Sequence, residues 1–435
     1  MNLRSRFAAP VIFTALATVS LACSETSDLT FEHELATVEQ ALSPSTSAVA
    51  YQAKSGRLAE SGPDYTGTTS GVMMPGTSPS IAEVNGGTYR DAFQGKDGFL
   101  WVNGPGGPVN QWYGLDQQSS PSIAGMTGSG YQVAFQANTH ELWVIGTPAV
   151  GAQGPQGLAM SPGTNPSIAK LGSTWEVALR HSNGNLWLTG NTGTFDTGYP
   201  MAPNTSPSIV SLNASYNGFE VAYQGANGNL WVYGTESIRD TGYGMAPNTS
   251  PSIAATPPDS YGIERYQIAF QANTNHLFVA GPLAEGDVGF GMAPNTSPSI
   301  AALPGGGWEA AFQANTGHYW LAGSQVTGDT NVLMAAGTSP SITPVFRAPT
   351  GLKYTLQYIG SGVSLNLSWT GALGANVYFA DQYDNVSATT RNVATNTQTT
   401  FSNLARNWQY HYRVTAHYWN GFEVTSSPLD VRTPK

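Results

Sequence analysis

Pro121-Ser-Ile-Ala-Gly-Met-Thr-Gly-Ser-Gly-Tyr131-Gln-Val-Ala-Phe135-Gln-Ala-Asn-Thr-His140-Glu-Leu-Trp143 decides the fold, because both halves of this stretch recur along the chain. Pro-Ser-Ile begins at Pro79, Pro121, Pro166, Pro207, Pro251, Pro298 and Pro340, seven copies spaced 41 to 47 residues apart. The second half recurs about an apolar anchor at Tyr51, Phe93, Phe135, Leu179, Tyr223, Phe270 and Phe312. Tyr131, Val133 and Phe135 alternate with Gln132, Ala134 and Gln136, the period of two that puts one face of a strand in a core. Five residues after the anchors stand Gly56, Gly98, His140, Gly184, Gly228, Asn275 and Gly317, types that accept positive φ, so each unit holds a tight hairpin.

With a strand at Pro-Ser-Ile, the hairpin's two strands and a fourth segment near Met201-Ala-Pro-Asn-Thr-Ser206, each repeat has the four strands of a propeller blade. A solenoid is the alternative. The ends favour a closed ring. The first hairpin, 48–62, has no Pro-Ser-Ile before it, and the last Pro-Ser-Ile, at Pro340, has no hairpin after it, so a strand near 339–343 completes the sheet the N-terminal part began. The fold class expected is all-β: a seven-bladed β-propeller over 47–345, then an immunoglobulin-like sandwich over 346–435.

Composition agrees. Fifty glycines punctuate short apolar runs, and 10% charged residues with a formal net charge of −10 and no Lys/Arg cluster give no footprint for nucleic acid. Arg4 and Arg6 precede the apolar stretch from Phe7 to Leu21, so residues 1–22 are expected to be a secretory signal and 23–46 a polar linker. Ser20-Leu21-Ala22-Cys23 suits both ordinary cleavage and a lipobox with lipid on Cys23, the one membrane anchorage expected. The product is then secreted, or a surface lipoprotein of a bacterium. Cys23 is the only cysteine, so no internal disulfide supports the fold.

The repeat, with Ser-Pro-Ser-Ile-Ala, Tyr-Gln-Val-Ala-Phe-Gln-Ala-Asn-Thr and Gly-Tyr-x-Met, resembles the blade of bacterial seven-bladed propeller lectins, fucose-binding ones included. The resemblance covers Ser47 to Val345 and implies carbohydrate binding. It departs from that pattern in the Val-x-Gly runs, such as Val232-Tyr233-Gly234, that follow Leu-Trp. Trp369, and Leu404 six residues before Tyr410, resemble the B-strand tryptophan and tyrosine corner of fibronectin type III domains, which implies that both aromatics are core.

The seven histidines have no metal spacing, and His276 and His318 share an exposed hairpin position. No Gly-x-Ser-x-Gly elbow, phosphate loop or zincin motif occurs. Glu176, Glu220 and Glu309 recur three residues before the anchors, a matter of repeat architecture more than of a unique catalytic pair; Asp196, Asp240, Asp287 and Glu264 are the other acids weighed. No catalytic residue, cofactor or metal is expected. Two aromatic registers point to glycan instead. Trp101, Trp143, Trp187, Trp231, Phe278 and Trp320 lie eight residues after the anchors, where packing between sheets competes with stacking on a sugar. Tyr113, Tyr199, Tyr243 and Phe290 lie eight residues before Pro-Ser-Ile, near loops rich in Gly, Asn and Thr, where stacking on ligand is more plausible than in the tryptophan register. Asn138, Asn273 and Asn315 have groups for sugar hydroxyls, with a turn role favoured. The competing functions are a protein-binding adhesin or scaffold and a polysaccharide-processing enzyme.

Overall fold

The computed structural model describes residues 46–434 except 86–87, 127, 129, 213–217, 360–361 and 385. The signal segment, the linker and Cys23 lie outside the described residues. Among the described residues every regular element is a β-strand, and the N-terminal part forms four-stranded antiparallel sheets, seven in number. We number the sheets by their anchors, from Tyr51 in the first to Phe312 in the seventh. The fifth is typical: Ser208–Leu212 innermost, then Gly218–Gln224, Asn229–Gly234 and, outermost, Ile238–Gly244.

The expected sharing of one sheet by the two ends is observed. Ser341–Pro344 lies antiparallel to Ser47–Gln52, with Val49 opposite Ile342, and Arg57–Ser61 and Thr66–Val72 complete the sheet. Hairpin chemistry is also as read. The residue five after the anchor has positive φ where it is glycine, as at Gly56 (78°) and Gly98 (82°), and equally at His140 and Asn275 (both 62°).

Three rings of contacts join each sheet to the next in a β-propeller arrangement. At the axis the serine of each Pro-Ser-Ile accepts a hydrogen bond from the isoleucine N–H of a neighbouring sheet: Ile123 to Ser80, Ile168 to Ser122, Ile209 to Ser167, Ile253 to Ser208, Ile300 to Ser252, Ile342 to Ser299 and Ile81 to Ser341. The residue before each proline repeats this, from Ser78 N–H donating to Ser120 Oγ round to Ser339 N–H donating to Ser78 Oγ. Farther out, the Met73, Leu115, Met160, Met201, Met245, Met292 and Met334 register forms an isolated backbone bridge to the following hairpin, as between Met201 and Gly225. Each neutral hydrogen bond contributes about 1 kcal/mol net, and none is local in sequence, so these rings serve as cross-links in a chain with a single cysteine. Between sheets the core is apolar. Phe93, Phe135, Leu179, Phe270 and Phe312 are fully buried, and so are Leu58, Leu100, Leu142, Leu186, Leu230 and Leu277, at about 1.5–3 kcal/mol for each side chain.

From Thr350 the chain forms a second body, a three-stranded sheet (Thr350–Ile359, Gly362–Thr370, Gln398–Leu404) against one built on Val377–Tyr383 and Gln409–His417. Trp369, Tyr410 and Leu404 are buried in its core, and Tyr410 Oη accepts the Ala405 N–H at 2.9 Å. This body is held to the ring by a 2.9 Å ion pair of Arg347 with Asp64, and by Tyr418 Oη, which donates to Arg347 O at 2.6 Å.

Candidate functional site

The structure brings together the two aromatic registers that the sequence keeps some 30 residues apart. Each outer-strand aromatic packs on the register aromatic of the next sheet, with centroids 5.8 Å apart for Tyr113 and Trp143, 5.9 Å for Tyr199 and Trp231, 5.0 Å for Tyr243 and Phe278, and 5.3 Å for Phe290 and Trp320. Both members are half-buried except Tyr113, which is 37% exposed. Packing and display are therefore shared by the pair, and dividing the registers into one for core and one for ligand does not describe the clefts. Trp187 meets the aliphatic Leu158 in the same way.

Asn138, Asn273 and Asn315 are exposed and join the same clefts. Their backbone N–H groups donate to Gly114, Gly244 and Gly291, the residues after Tyr113, Tyr243 and Phe290. A Cβ on these glycines would come within 2.6–2.8 Å of the asparagine Nδ2 atoms. Glycine at these positions leaves room for the asparagine side chain, which a larger residue would push aside.

The cleft between the fifth and sixth sheets is the richest in polar groups. It has a volume of about 430 Å3 and is lined by Arg239, Tyr243, Arg265, Tyr266 and Glu285 around the apolar floor of Val232 and Ile268. Tyr243 Oη donates to Glu285, and Arg265 lies 3.9 Å from Glu236. Arg239 is exposed on the outer strand and makes no ion pair among the described residues. An aromatic wall with fork-like donors and a carboxylate acceptor suits a polyhydroxylated ring, which offers apolar C–H faces and hydroxyls that both donate and accept.

The cleft between the first and second sheets, about 690 Å3, is built differently, and its groups were missed in the sequence. Glu60 lines it and Asp91 lies behind, 7% and 0% exposed; Asn103 Nδ2 donates to both carboxylates. Burial raises the pKa of Glu60, and burial followed by the charge of Glu60 raises that of Asp91 well above the usual range. Carboxyls that share one amide are too close to flank a glycosidic bond, which needs a separation of about 5 Å or more. Next to this cleft, Gly71 occupies the register of Tyr113 and Tyr243, and Trp101 lines an opening of about 340 Å3. A signal for this constellation existed. Asp91 stands where other repeats have Val49, Val133, Val177, Val221, Ile268 and Ala310, and Glu60 where they have Val102, Val144, Leu188, Val232, Val279 and Leu321.

The remaining acids serve the fold. Asp196 and Asp240 accept from Asn185 and Asn229, and Asp287 and Asp329 pair with His276 and His318 at 3.0 and 2.8 Å, so an outer-strand acid clasps the hairpin in each of the fourth to seventh sheets. His276 and His318 are accordingly half-buried, and less exposed than read from sequence. Glu176 and Glu220 are fully buried and accept loop N–H groups of Thr192 and Glu236; Glu309 accepts the Ser47 hydroxyl at 3.1 Å across the closing seam. No group of three or more metal-ligating side chains occurs among the described residues.

No family model matches the chain, and no curated protein is significantly similar. Among solved structures it is similar to AofleA from Arthrobotrys oligospora (13% identity, 62% of this chain and 90% of that one, TM-score 0.45). It is similar too to the SapL1 lectin in complex with alpha methyl fucoside (16% identity, 59% and 96%, TM-score 0.43). An Fn3-like protein from Clostridium thermocellum shares 34% identity over 21% of this chain and 95% of its own, at a TM-score of 0.18. These likenesses are remote, and the propeller arrangement rests on the sheet order and the interlocking rings.

Proposed function

We propose that the chain is a carbohydrate-binding, lectin-like protein: a seven-bladed propeller with glycan sites in the clefts between blades, followed by a fibronectin type III-like domain. The observation that carries this reading is the gathering of Tyr243, Tyr266, Arg239, Arg265 and Glu285 from adjacent sheets around one open cleft. A multivalent arrangement follows from the repeat, since aromatic pairs recur at four of the clefts and rigidly linked weak sites gain about 10²- to 10⁴-fold in avidity on a repeated target. Export by residues 1–22, with or without lipid on Cys23, and a bacterial source belong to the same proposal. The test is a glycan array read with and without competing free sugar. Saturable, competed signal supports it, and a protein that binds no glycan is instead a protein-binding scaffold.

A further inference from the structure

A half-open cavity of about 240 Å3 lies at one end of the ring axis, lined by inner strands and by the C-terminal sandwich. Ile253, Ile300 and Ile342 supply an apolar wall from three sheets, and Trp419 and Phe422 line it from the sandwich. Their turn is held firmly. Tyr418 N–H donates to Phe422 O, Gly421 N–H donates to Tyr418 O, Gly421 takes φ 79°, and Phe422 stacks on the buried Phe346 with centroids 5.5 Å apart.

One donor at this cavity lacks a partner. Lys170, on the inner strand of the fourth sheet, lines the cavity without an ion pair or side-chain hydrogen bond among the described residues. The neighbouring carboxylate Glu423 is engaged by His417 at 3.2 Å, and Glu83, the acid at the same inner-strand position on the second sheet, does not line the cavity. Lys170 also breaks its register, which elsewhere reads Glu83, Gly125, Ser211, Ala255, Ala302 and Pro344. An unpaired ammonium beside apolar walls is complementary to an acceptor carrying negative charge on an apolar body.

We infer that this axial cavity is a binding site, distinct from the glycan clefts, for a small amphiphilic carboxylate, whose anionic end meets Lys170 and whose tail lies against the isoleucines. Space suffices, since a cavity of about 150 Å3 holds a benzene-sized body. The experiment is calorimetric titration of the full-length exported protein with hexanoate, and with hexanol as the uncharged match. Hexanoate is expected to bind at one site at least about tenfold tighter than hexanol, the worth of one charge-assisted hydrogen bond. Lys170→Gln, whose melting point is measured alongside to show an intact fold, is expected to erase that difference. Absence of hexanoate binding, equal binding of hexanoate and hexanol, or unchanged binding in a folded Lys170→Gln variant would overturn the inference.

Discussion

Replacing Glu309 by glutamine should alter how stability depends on pH while leaving the fold unchanged. Glu309 is fully buried beside Ser47 at the seam where the ring closes, and burial pushes its pKa from 4.5 up to about 7. The folded state therefore binds this proton more tightly than the unfolded state. Its stability is complete below about pH 4.5 and is lost as pH rises toward 7. The shift of 7 − 4.5 = 2.5 sets a ceiling of roughly 3 kcal/mol, and relaxation with water entry should leave about 1–2 kcal/mol. Glutamine suits the site, because Gln132 and Gln267 fill the same register in two other sheets and are themselves buried. Urea midpoints for both proteins at pH 5, 6, 7 and 8 read the effect. The Glu309→Gln protein should match the parent at pH 5 and exceed it at pH 8, with a flatter profile between. Parallel profiles would refute the reasoning.

Glu220, also raised to about 7 by burial, should behave in the same direction when replaced by glutamine, and the two substitutions should add because they lie on different sheets. A chain ending at Pro340 loses the strand that pairs with Ser47–Gln52 and should show no cooperative melt, whereas one ending at Arg347 should melt cooperatively at a lower temperature because Phe346 loses Tyr418 and Phe422. Trp231→Ala should cost about 3 kcal/mol by differential scanning calorimetry, since the half-buried indole packs between Tyr199 and Tyr223 and donates to Asn227. Mass spectrometry of the mature N-terminus is expected to find Cys23 first; a diacylglyceryl group marks anchorage and a bare thiol marks release.

Much of this architecture was legible because it repeats. Equal spacing from Phe135 to Trp143 and from Tyr223 to Trp231 can only mean one hairpin used again, and the unmatched ends at 48–62 and Pro340 foretold the shared sheet. The joints between sheets were not legible. Ser80 accepting from Ile123, or Tyr199 meeting Trp231, joins residues of different repeats, and a period shows what recurs without showing which copies of it touch. The candidate site divided along the same line. Tyr243 was found because it belongs to a register, whereas Arg239 is an isolated charge on an outer strand, Arg265 and Glu285 sit in loops, and Glu60 and Asp91 were hidden in strands otherwise apolar at those positions. Register outliers in a repeat protein mark where one copy was given separate chemistry.

Glycan retention by cleft variants tests the central claim most directly. On the glycan that gives the strongest competed signal, the parent should be compared by surface plasmon resonance with Arg239→Ala and with Arg239→Ala/Tyr243→Ala, each checked for an unchanged melting point. Binding through the cleft between the fifth and sixth sheets predicts a loss of retention of about tenfold or more for the double variant, with free sugar eluting the parent. Undiminished retention by the folded double variant would contradict the placing of a glycan site in this cleft, and absence of any competed signal from the parent would contradict carbohydrate binding altogether.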